Sequence, residues 1–260
     1  MKILIEGGVI VDGSGNPWFR GDVAVEEGRI VAVGRVKDFS PDVRIDASGK
    51  VVCPGFIDAH AHSDFTLLVD PLADSKLRQG VTTEIIGNCG SSGGPLLGEA
   101  REEAERRAEI YGITIDWTYM GEYLKRLEEA RPCINVASHV GFGNIRESVM
   151  GHEAREPTKD ELDEMKALVK RSIEEGAIGL STGLRYTPQS FASTDEVVEI
   201  AKAAAEASGI YASHIRDEGD GGKVLEAVLE AIEIGRRAVI PVQISHFKVL
   251  AKPLWGICPK

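Results

Sequence analysis

The chain has 260 residues, of which 43% are hydrophobic and 27% are charged, a balance typical of a globular protein with a sizeable core. Its formal net charge is −11 at pH 7, which argues against nucleic acid as the main partner because phosphate binding needs a basic surface. The sequence has no apolar run long enough for a spanning helix and no signal-peptide pattern at its start, so we expect a cytoplasmic protein with no membrane partner.

Residues 1–52 are predicted to form the N-terminal part of a small β-domain. Short β-prone runs alternate with turn residues throughout this stretch. The runs lie at residues 3–5, 9–11, 23–25, 29–33 and 43–45, and the turns between them include Glu27-Gly28 and Ser48-Gly49.

From about residue 53 onward, apolar runs alternate with amphipathic helices, as in repeated βα units. Thr158 with Glu161, and Ser193 with Glu196, have the spacing of capping boxes at helix starts. Strands are predicted near residues 52–58, 81–87, 134–140, 177–181, 210–215 and 239–246. We therefore expect residues 53–260 to form an α/β fold of the TIM-barrel type, a partial (β/α) barrel with about six of its eight strands.

His60 and His62 are two residues apart and follow the apolar run at residues 51–57. In a strand, residues i and i+2 point to the same side, so both imidazoles can converge on one ion. The carboxyl end of a barrel strand is also where barrel active sites are built. A pair of surface histidines in a loop is the alternative, but the preceding PGFID segment favours metal binding.

Cys89 is the cysteine best placed to bind a metal. It comes directly after the strand predicted at residues 81–87, and its flanking glycines permit a tight turn. A thiolate is a good zinc ligand, whereas a buried structural cysteine is the alternative. The other cysteines are not assigned to the metal: Cys53 and Cys133 are expected to be structural, and Cys258 lies too near the end of the chain to be assigned.

His214 and His246 end the fifth and sixth predicted strands, and each follows a serine. Equivalent positions on neighbouring strands place both side chains at the barrel mouth with the three candidates above. Five nitrogen and sulfur ligands exceed the need of one tetrahedral zinc, so either the site is binuclear or one ion has spare histidines that support its ligands. For His139 we expect a core or supporting role, and for His152 a surface loop.

Cationic, phenolic and acidic residues also follow the later predicted strands. Arg185 and Tyr186 follow the fourth, Arg216, Asp217 and Glu218 follow the fifth, and Lys248 follows the sixth. The cationic groups can hold a substrate carboxylate, arginine in a bidentate manner and lysine as a point charge. Helix capping and ion pairs within loops are the alternative, and the residues by themselves leave the two open.

The segment at residues 54–64, PGFIDAHAHSD, resembles the first-strand signature of the amidohydrolase superfamily. Further segments narrow the resemblance to the N-acyl-D-amino-acid deacylases, or D-aminoacylases. These segments are GNCG at residues 87–90, GAIGLSTGLRY at 176–186, SHIRDE at 213–218 and SHFK at 245–248. The resemblance covers essentially the whole chain.

This resemblance implies a small β-sandwich-like domain fused to a metal-dependent-hydrolase barrel. It also implies hydrolysis of the amide bond of N-acyl-D-amino acids by zinc-activated water, so the expected partner is a small N-acyl amino acid. Cys89, His214 and His246 match the ligands of a tight zinc site. His60 and His62 match the pair of a second, weaker site.

The resemblance also implies roles for residues that follow the strands. Tyr186 and Lys248 match positions associated with substrate binding and with contact to an oxyanion or a carboxylate. Arg216 is a further substrate-binding candidate that would help Lys248 to hold the substrate carboxylate.

The resemblance stops near Trp255-Gly256, and the aspartate expected after an eighth strand, which would be the general base, is not in the sequence. General-base assistance is worth roughly 10²–10⁴-fold, so we expect this chain by itself to hydrolyse its substrate poorly. Two alternatives stay open. One is the hydrolysis of a related amide, such as an N-acyl-D-glutamate, a D-peptide or a cyclic imide. The other is a non-catalytic zinc-binding fragment, and the oligomeric state is also open.

Overall fold

The computed structural model describes residues 1–256, and its contacts divide the chain into two units, Met1–Phe56 and a second unit that begins at Ile57. The first unit is built on a sheet of five strands. These are β1 (Lys2–Ile10), β2 (Phe19–Glu26), β3 (Arg29–Gly34), β4 (Val43–Asp46) and β5 (Val51–Val52). β1 pairs antiparallel with β2 and parallel with β4 and β5, and β2 pairs antiparallel with β3.

The hairpin between β2 and β3 shows why the sequence folds locally in this way. Glu26 and Arg29 are paired across the hairpin, so the loop has only two residues, Glu27 and Gly28. Both have positive φ, 50° and 75° respectively. Two-residue hairpin loops of this handedness match the twist of the strands, and a glycine in one of the two positions lowers the strain. The predicted turn at Glu27-Gly28 is thus the observed one.

The second unit alternates strands with helices. Its strands are β6 (Phe56–Asp58), β7 (Val81–Ile86), β8 (Asn135–Ser138), β9 (Val140–Gly141), β10 (Gly179–Gly183), β11 (Ile210–His214) and β12 (Val242–Ile244). Its helices are α1 (Thr66–Val69), α2 (Asp74–Leu77), α3 (Gly98–Ile110), α4 (Met120–Ala130), α5 (Phe142–Met150), α6 (Lys159–Glu174), α7 (Thr194–Glu206) and α8 (Val224–Ala238). Short 3₁₀ turns lie at Gln189–Phe191 and Lys252–Leu254. Within residues 1–256, no helix is both long enough and apolar enough to cross a membrane.

The strands of the second unit form two sheets, in the orders β6-β7-β8 and β9-β10-β11-β12. The pairs β7–β8, β9–β10, β10–β11 and β11–β12 are parallel. Side chains from β7, β9, β10 and β11 and from most of the helices share the larger hydrophobic core, in which Ile86, Val140, Leu180 and Tyr211 are fully buried. A smaller cluster lies under α8, and Ile244 of β12 packs against it. Parallel strands bring their carboxyl ends to the same edge, so residues that follow different strands can meet. The mixed α/β content agrees with the predicted fold class.

Three predicted strands are shorter than expected. The strand predicted at 52–58 extends only over Phe56–Asp58, because Val52 belongs to β5, which pairs with β1. The strand predicted at 134–140 is interrupted at His139, because β8 pairs with β7 whereas β9 pairs with β10. The strand predicted at 239–246 extends only over Val242–Ile244. Val239 adopts the left-handed cap of α8, with φ 54°, and Pro241 has no N–H to donate, so the strand begins after both.

The two predicted capping boxes behave differently. At the start of α6, Thr158 accepts a bond from the Glu161 N–H, and the Glu161 carboxylate returns to the Thr158 N–H. At the start of α7, Ser193 accepts from the Glu196 N–H. The Glu196 carboxylate, however, pairs with buried Arg146 instead of returning to Ser193. The second capping box is therefore only half formed, because the Glu196 carboxylate bonds the buried Arg146 guanidinium and not the Ser193 N–H.

We expect Glu161→Gln to destabilise α6 in a pH-dependent manner. The Arg155 guanidinium, followed by the Thr158 N–H, holds the pKa of Glu161 at about 2, below its usual value of 4.5. The stabilisation by the charge is therefore complete above pH 4.5 and disappears as the pH falls towards 2. Urea unfolding should show a loss of about 1 kcal/mol at pH 7 and a smaller loss at pH 3. The exposed Glu164→Gln on the same helix is the control, and an equal effect of both variants would contradict the prediction.

Candidate metal centre

The five predicted metal ligands all lie at carboxyl ends of strands in the second unit. His60 and His62 follow β6, and Cys89 follows β7. His214 is the last residue of β11, and His246 comes two residues after β12 ends. Because β11 and β12 run parallel, their ends lie side by side and the two histidines reach the same edge.

Cys89 is the centre of this cluster. Its Sγ lies 3.4 Å from His60 Nε2, 3.4 Å from His214 Nδ1 and 3.6 Å from His246 Nε2. In a tetrahedral zinc site, Zn–S and Zn–N bonds of usual length separate the sulfur from each nitrogen by about 3.6 Å. Each of the three sulfur–nitrogen distances thus matches the distance between two ligands of one zinc ion, and the cysteine and histidine donors fit this metal.

The resemblance found in the sequence implies a tight site and a second, weaker site. The observed distances do not divide the histidines into these two sets. His60, Cys89 and His246 offer ligand atoms that all lie within 4.8 Å of one another, so His60 approaches the sulfur as closely as His214 does. His62 joins the cluster through His60, since their ring centroids are 5.0 Å apart. Cys89 and His246 are therefore the members around which one or two ions can be held.

The surroundings of His60 and His214 lower the pKa values of both rings, which favours metal binding. Burial, followed by the neighbouring His62, lowers the pKa of His60 to about 4. Burial, followed by the neighbouring His246, lowers the pKa of His214 to about 4. Both rings are therefore neutral at pH 7 and keep a lone pair. Burial, followed by the Glu218 carboxylate, raises the pKa of the Cys89 thiol to about 11, so a metal has to displace its proton.

The turn that carries Cys89 is held by side chains from elsewhere in the chain. Cys89 has a left-handed backbone with φ 55°, which is uncommon for a residue other than glycine. Ser181 Oγ on β10 accepts from the Gly90 N–H at 3.0 Å and donates to the Gly87 carbonyl at 2.5 Å. Gln189 Nε2 donates to the Cys89 carbonyl at 3.3 Å, and a Cβ on Gly90 would lie 1.9 Å from Gln189 Oε1. This support was not predicted from the sequence.

Ser181→Ala is expected to loosen this turn. The variant leaves two buried backbone groups without their partner, which costs about 1–3 kcal/mol of unfolding free energy. It should also weaken zinc binding, because the sulfur is no longer held in place. Urea unfolding and zinc titration measure the two effects. Ser172→Ala, which removes a buried serine that bonds only within α6, should leave zinc binding unchanged. Unaltered zinc affinity in Ser181→Ala would contradict this role.

Glu218 belongs to the cluster, although the sequence suggested only carboxylate binding or a loop ion pair for its segment. Its side chain is 2% exposed. Oε1 lies 2.8 Å from His246 Nδ1 and 3.6 Å from His214 Nε2, and Oε2 lies 2.6 Å from Lys248 Nζ. Burial alone would raise the pKa of Glu218, but the Lys248 ammonium lowers it overall, so the carboxylate is ionised. Its position four residues after His214 was the available signal.

The three predicted substrate-binding residues lie in different surroundings. The Tyr186 ring packs edge-on against His214, with centroids 4.7 Å apart, and burial raises the pKa of its hydroxyl. Lys248 contacts the cluster through Glu218. The Arg216 guanidinium instead bonds Glu230 and the carbonyls at positions 190 and 192. The structure thus brings Tyr186 and Lys248 to the cluster and holds Arg216 in a separate ion pair.

The remaining histidines and cysteines lie outside the ligand set. His139 is fully buried, and burial followed by the nearby His60 lowers its pKa to about 4, so its ring is neutral at pH 7. His152 is paired with Glu99 at 2.8 Å on the surface, as predicted for a loop residue. The other cysteines are dispersed: Cys53 and Cys133 are exposed, and Cys258 lies outside the described residues.

A cavity of about 570 Å³ opens beside the ligand cluster. His62, Cys89 and Tyr186 form the wall that it shares with the cluster. Much of the remaining wall is polar, with Asn88, Ser91, Arg107, Asn144 and Gln189 among the lining residues. A small polar molecule can therefore lie against the candidate metal ligands.

The sequence matches the model of the amidohydrolase family over residues 44–253. D-aminoacylase of Alcaligenes xylosoxydans xylosoxydans is 39% identical over 254 residues, which cover 98% of this chain and 52% of that protein. N-acyl-D-glutamate deacylase of the same organism is 38% identical, with 98% and 52% covered. The chain thus spans about half the length of these curated relatives.

Solved structures give the same result. The crystal structure of D-aminoacylase superposes with a TM-score of 0.89 at 39% identity, covering 98% of this chain and 53% of that one. N-acyl-D-glutamate deacylase from Bordetella bronchiseptica, complexed with zinc and a phosphonate inhibitor, has a TM-score of 0.88 at 37% identity, covering 98% and 53%. A D-hydantoinase has a TM-score of 0.56 at 18% identity, covers 93% of this chain and 51% of that one, and is similar in fold alone.

Proposed function

Because the chain belongs to the amidohydrolase family, we propose that it acts in the zinc-dependent hydrolysis of the amide bond of N-acyl-D-amino acids. One observation carries this proposal. Cys89 Sγ has three imidazole nitrogens at 3.4–3.6 Å in a chain that is 38–39% identical to deacylases of this substrate class. The identities to the D-aminoacylase and to the N-acyl-D-glutamate deacylase are nearly equal, so the proposal names the class and leaves the amino acid open.

The proposed architecture follows the same resemblance. We propose that residues 53–260 are a partial metal-dependent-hydrolase barrel with about six of eight strands. The two parallel sheets of the second unit support this. We also propose that residues 1–52 are the N-terminal part of a small β-sandwich-like domain, which the mixed five-stranded sheet supports. In the structure, the division between the two units falls after Phe56.

We assign the metal ligands as follows. Cys89, His214 and His246 would hold a tight zinc ion, and His60 and His62 would take part in a second, weaker site. When bound, zinc supplies a Lewis acid for the amide carbonyl and a water molecule with a lowered pKa. Zinc binding requires no loss of a proton from the neutral imidazoles, whereas the Cys89 thiol has to lose its proton to bind the ion.

Two further side chains would act on the substrate. Tyr186, whose hydroxyl stays protonated at pH 7 because burial raises its pKa, would donate a hydrogen bond to the carbonyl oxygen as charge develops there. The Lys248 ammonium, fixed by Glu218, would attract the substrate carboxylate. Arg216 is not assigned to the substrate, because its donors already bond Glu230 and two backbone carbonyls.

The test is a panel of N-acetyl-D-amino acids, neutral and acidic, with their L-enantiomers as matched controls. Calorimetry on the zinc-loaded protein should show binding of D-forms in preference to L-forms, and Lys248→Met should weaken it about tenfold or more. Amine release, even if slow, should require zinc. Equal binding of both enantiomers, or amine release that continues without zinc, would contradict the proposal. Preferential binding of cyclic imides would favour the related-amide alternative instead.

A further inference from the structure

We propose that Glu218 is a positioning residue, which holds His214 and His246 from behind and sets the affinity of the site for zinc. This inference rests on the metal centre proposed above, and it assigns a role to a residue that does not face the sulfur. It is carried by geometry and charge: a carboxylate that is 2% exposed, placed between two imidazoles and one ammonium.

Glu218 approaches the outer nitrogen of each ring. His214 presents Nδ1 to Cys89 Sγ and Nε2 to Glu218 Oε1, the latter at 3.6 Å. His246 presents Nε2 to the sulfur and Nδ1 to the same carboxylate oxygen, at 2.8 Å. The same carboxylate oxygen therefore lies beside the outer nitrogens of both imidazoles, whose inner nitrogens approach the Cys89 thiol.

This arrangement determines which nitrogen of each ring can bind a metal. A neutral imidazole carries one proton, and a carboxylate beside the outer nitrogen favours the proton at that position. The inner nitrogen then keeps its lone pair for the ion, and the ring orientation is fixed at the same time. The negative charge of Glu218 also makes both rings better donors to a cation.

The carboxylate oxygen and the two outer ring nitrogens beside it are buried, but none of them forms a hydrogen bond of suitable geometry within residues 1–256. Glu218 Oε1, His214 Nε2 and His246 Nδ1 each have no hydrogen-bond partner among the described residues, although Oε1 and Nδ1 are only 2.8 Å apart. For His246 the distance is suitable and only the direction of the N–H is wrong, whereas His214 Nε2, at 3.6 Å, lies just beyond hydrogen-bond distance. The outer torsion of histidine is soft, so a modest ring rotation aligns the pair as the inner nitrogens close on an ion.

A direct role of Glu218 as a metal ligand fits less well. His214, Glu218 and His246 do offer three atoms within 4.8 Å of one another. However, the Lys248 ammonium already lies 2.6 Å from Glu218 Oε2, and a second cation at this carboxylate would be repelled by it. An ion there would also compete for the same two imidazoles with the site at the sulfur. The carboxylate therefore supports the ligands and does not replace them.

The experiment measures zinc affinity by competition with a chromophoric chelator. We expect Glu218→Gln to bind zinc 10–100-fold more weakly than wild type, because the charge behind both rings is gone while the shape is kept. Glu196→Gln is the matched control, since Glu196 is also a buried carboxylate paired with a cation but lies against Arg146. It should lower thermal stability and leave zinc affinity unchanged. Cobalt substituted for zinc should show an altered visible spectrum in Glu218→Gln alone.

Lys248→Met is a second variant, which we expect to change zinc affinity in the opposite direction. It removes the ammonium that competes with the imidazoles for the Glu218 charge, so zinc should bind about threefold more tightly or better. This variant keeps the inference testable even if Glu218→Gln does not fold. Direct repulsion between the ammonium and the ion would give the same gain without the carboxylate, so the Glu218→Gln/Lys248→Met double variant is compared with Glu218→Gln. An equal gain in that background would contradict the role of Glu218.

The outcomes separate the two proposals. If wild type binds no zinc, or binds it equally well without Cys89, the proposed metal centre fails. If wild type binds zinc through Cys89 and Glu218→Gln binds it within twofold of wild type, only the role of Glu218 is overturned. Tighter binding in Lys248→Met together with weaker binding in Glu218→Gln supports the role.

Discussion

Replacing Cys89 with alanine is expected to abolish stable zinc binding. Its sulfur lies 3.4–3.6 Å from a ring nitrogen of each of His60, His214 and His246. Without it, the remaining imidazoles have no anionic partner at the ion. We expect the zinc affinity to fall by on the order of 10³-fold or more. Metal analysis after dialysis against a weak chelator measures this directly.

Cys133→Ala is the matched control, because Cys133 is an exposed cysteine in the same unit and outside the cluster. It should retain zinc at the wild-type level. Thermal unfolding of Cys89→Ala without added metal should resemble that of wild type, because alanine meets the same left-handed backbone at little additional cost. A zinc content equal to that of wild type in Cys89→Ala would remove the basis of the proposed metal centre.

Arg146→Met is expected to cause a large loss of stability, about 3–5 kcal/mol. Arg146 is fully buried, and its Nε lies 3.1 Å from Glu196 Oε1. Its other nitrogens donate to the carbonyls of Glu153 and Arg155. The variant leaves the Glu196 carboxylate buried without its cation, where burial already raises the pKa of Glu196. For a unit of this size the melting temperature should fall by roughly 6–20 °C.

Two further variants show whether this loss comes from the buried charge. Arg146→Met combined with Glu196→Gln should recover part of the stability, because the uncompensated carboxylate is gone. Arg106→Met breaks an exposed pair with Glu103 and should change the stability little, because solvent screens the pair. Urea unfolding compares all three. If Arg146→Met were as mild as Arg106→Met, the buried pair would not have the stabilising role assigned to it.

The sequence predicted the location of most strands and indicated which residues are candidate metal ligands. Periodicity and turn residues are local signals, so the hairpin at Glu27-Gly28 and the capping box at Thr158 were predictable from a few neighbouring side chains. The strand interrupted at His139 was not, because its two parts pair with different neighbours in space. The half-formed box at Ser193 was missed for the same reason, since Glu196 is taken by a distant arginine.

The candidate site also has some features that were predictable from the sequence and others that were not. His60, His62, Cys89, His214 and His246 were found because histidine and cysteine directly after predicted strands carry a chemical signal of their own. Arg216 carried a similar signal, yet its guanidinium pairs with Glu230 and two carbonyls away from the cluster. Nothing in chain spacing distinguishes a cation that faces a ligand from one that faces a neighbouring helix.

By itself, the sequence determined the α/β class, the family and the identity of the candidate metal ligands, because residue type and position relative to a strand are enough for these. Only the tertiary structure decided which atoms meet. It placed His60 as near to the Cys89 sulfur as His214, and it set Glu218 behind two ligand rings. It also showed that Ser181 and Gln189 hold the turn of the cysteine. These contacts join residues that are far apart in the chain, and their distances depend on how the strands pair and how the side chains pack.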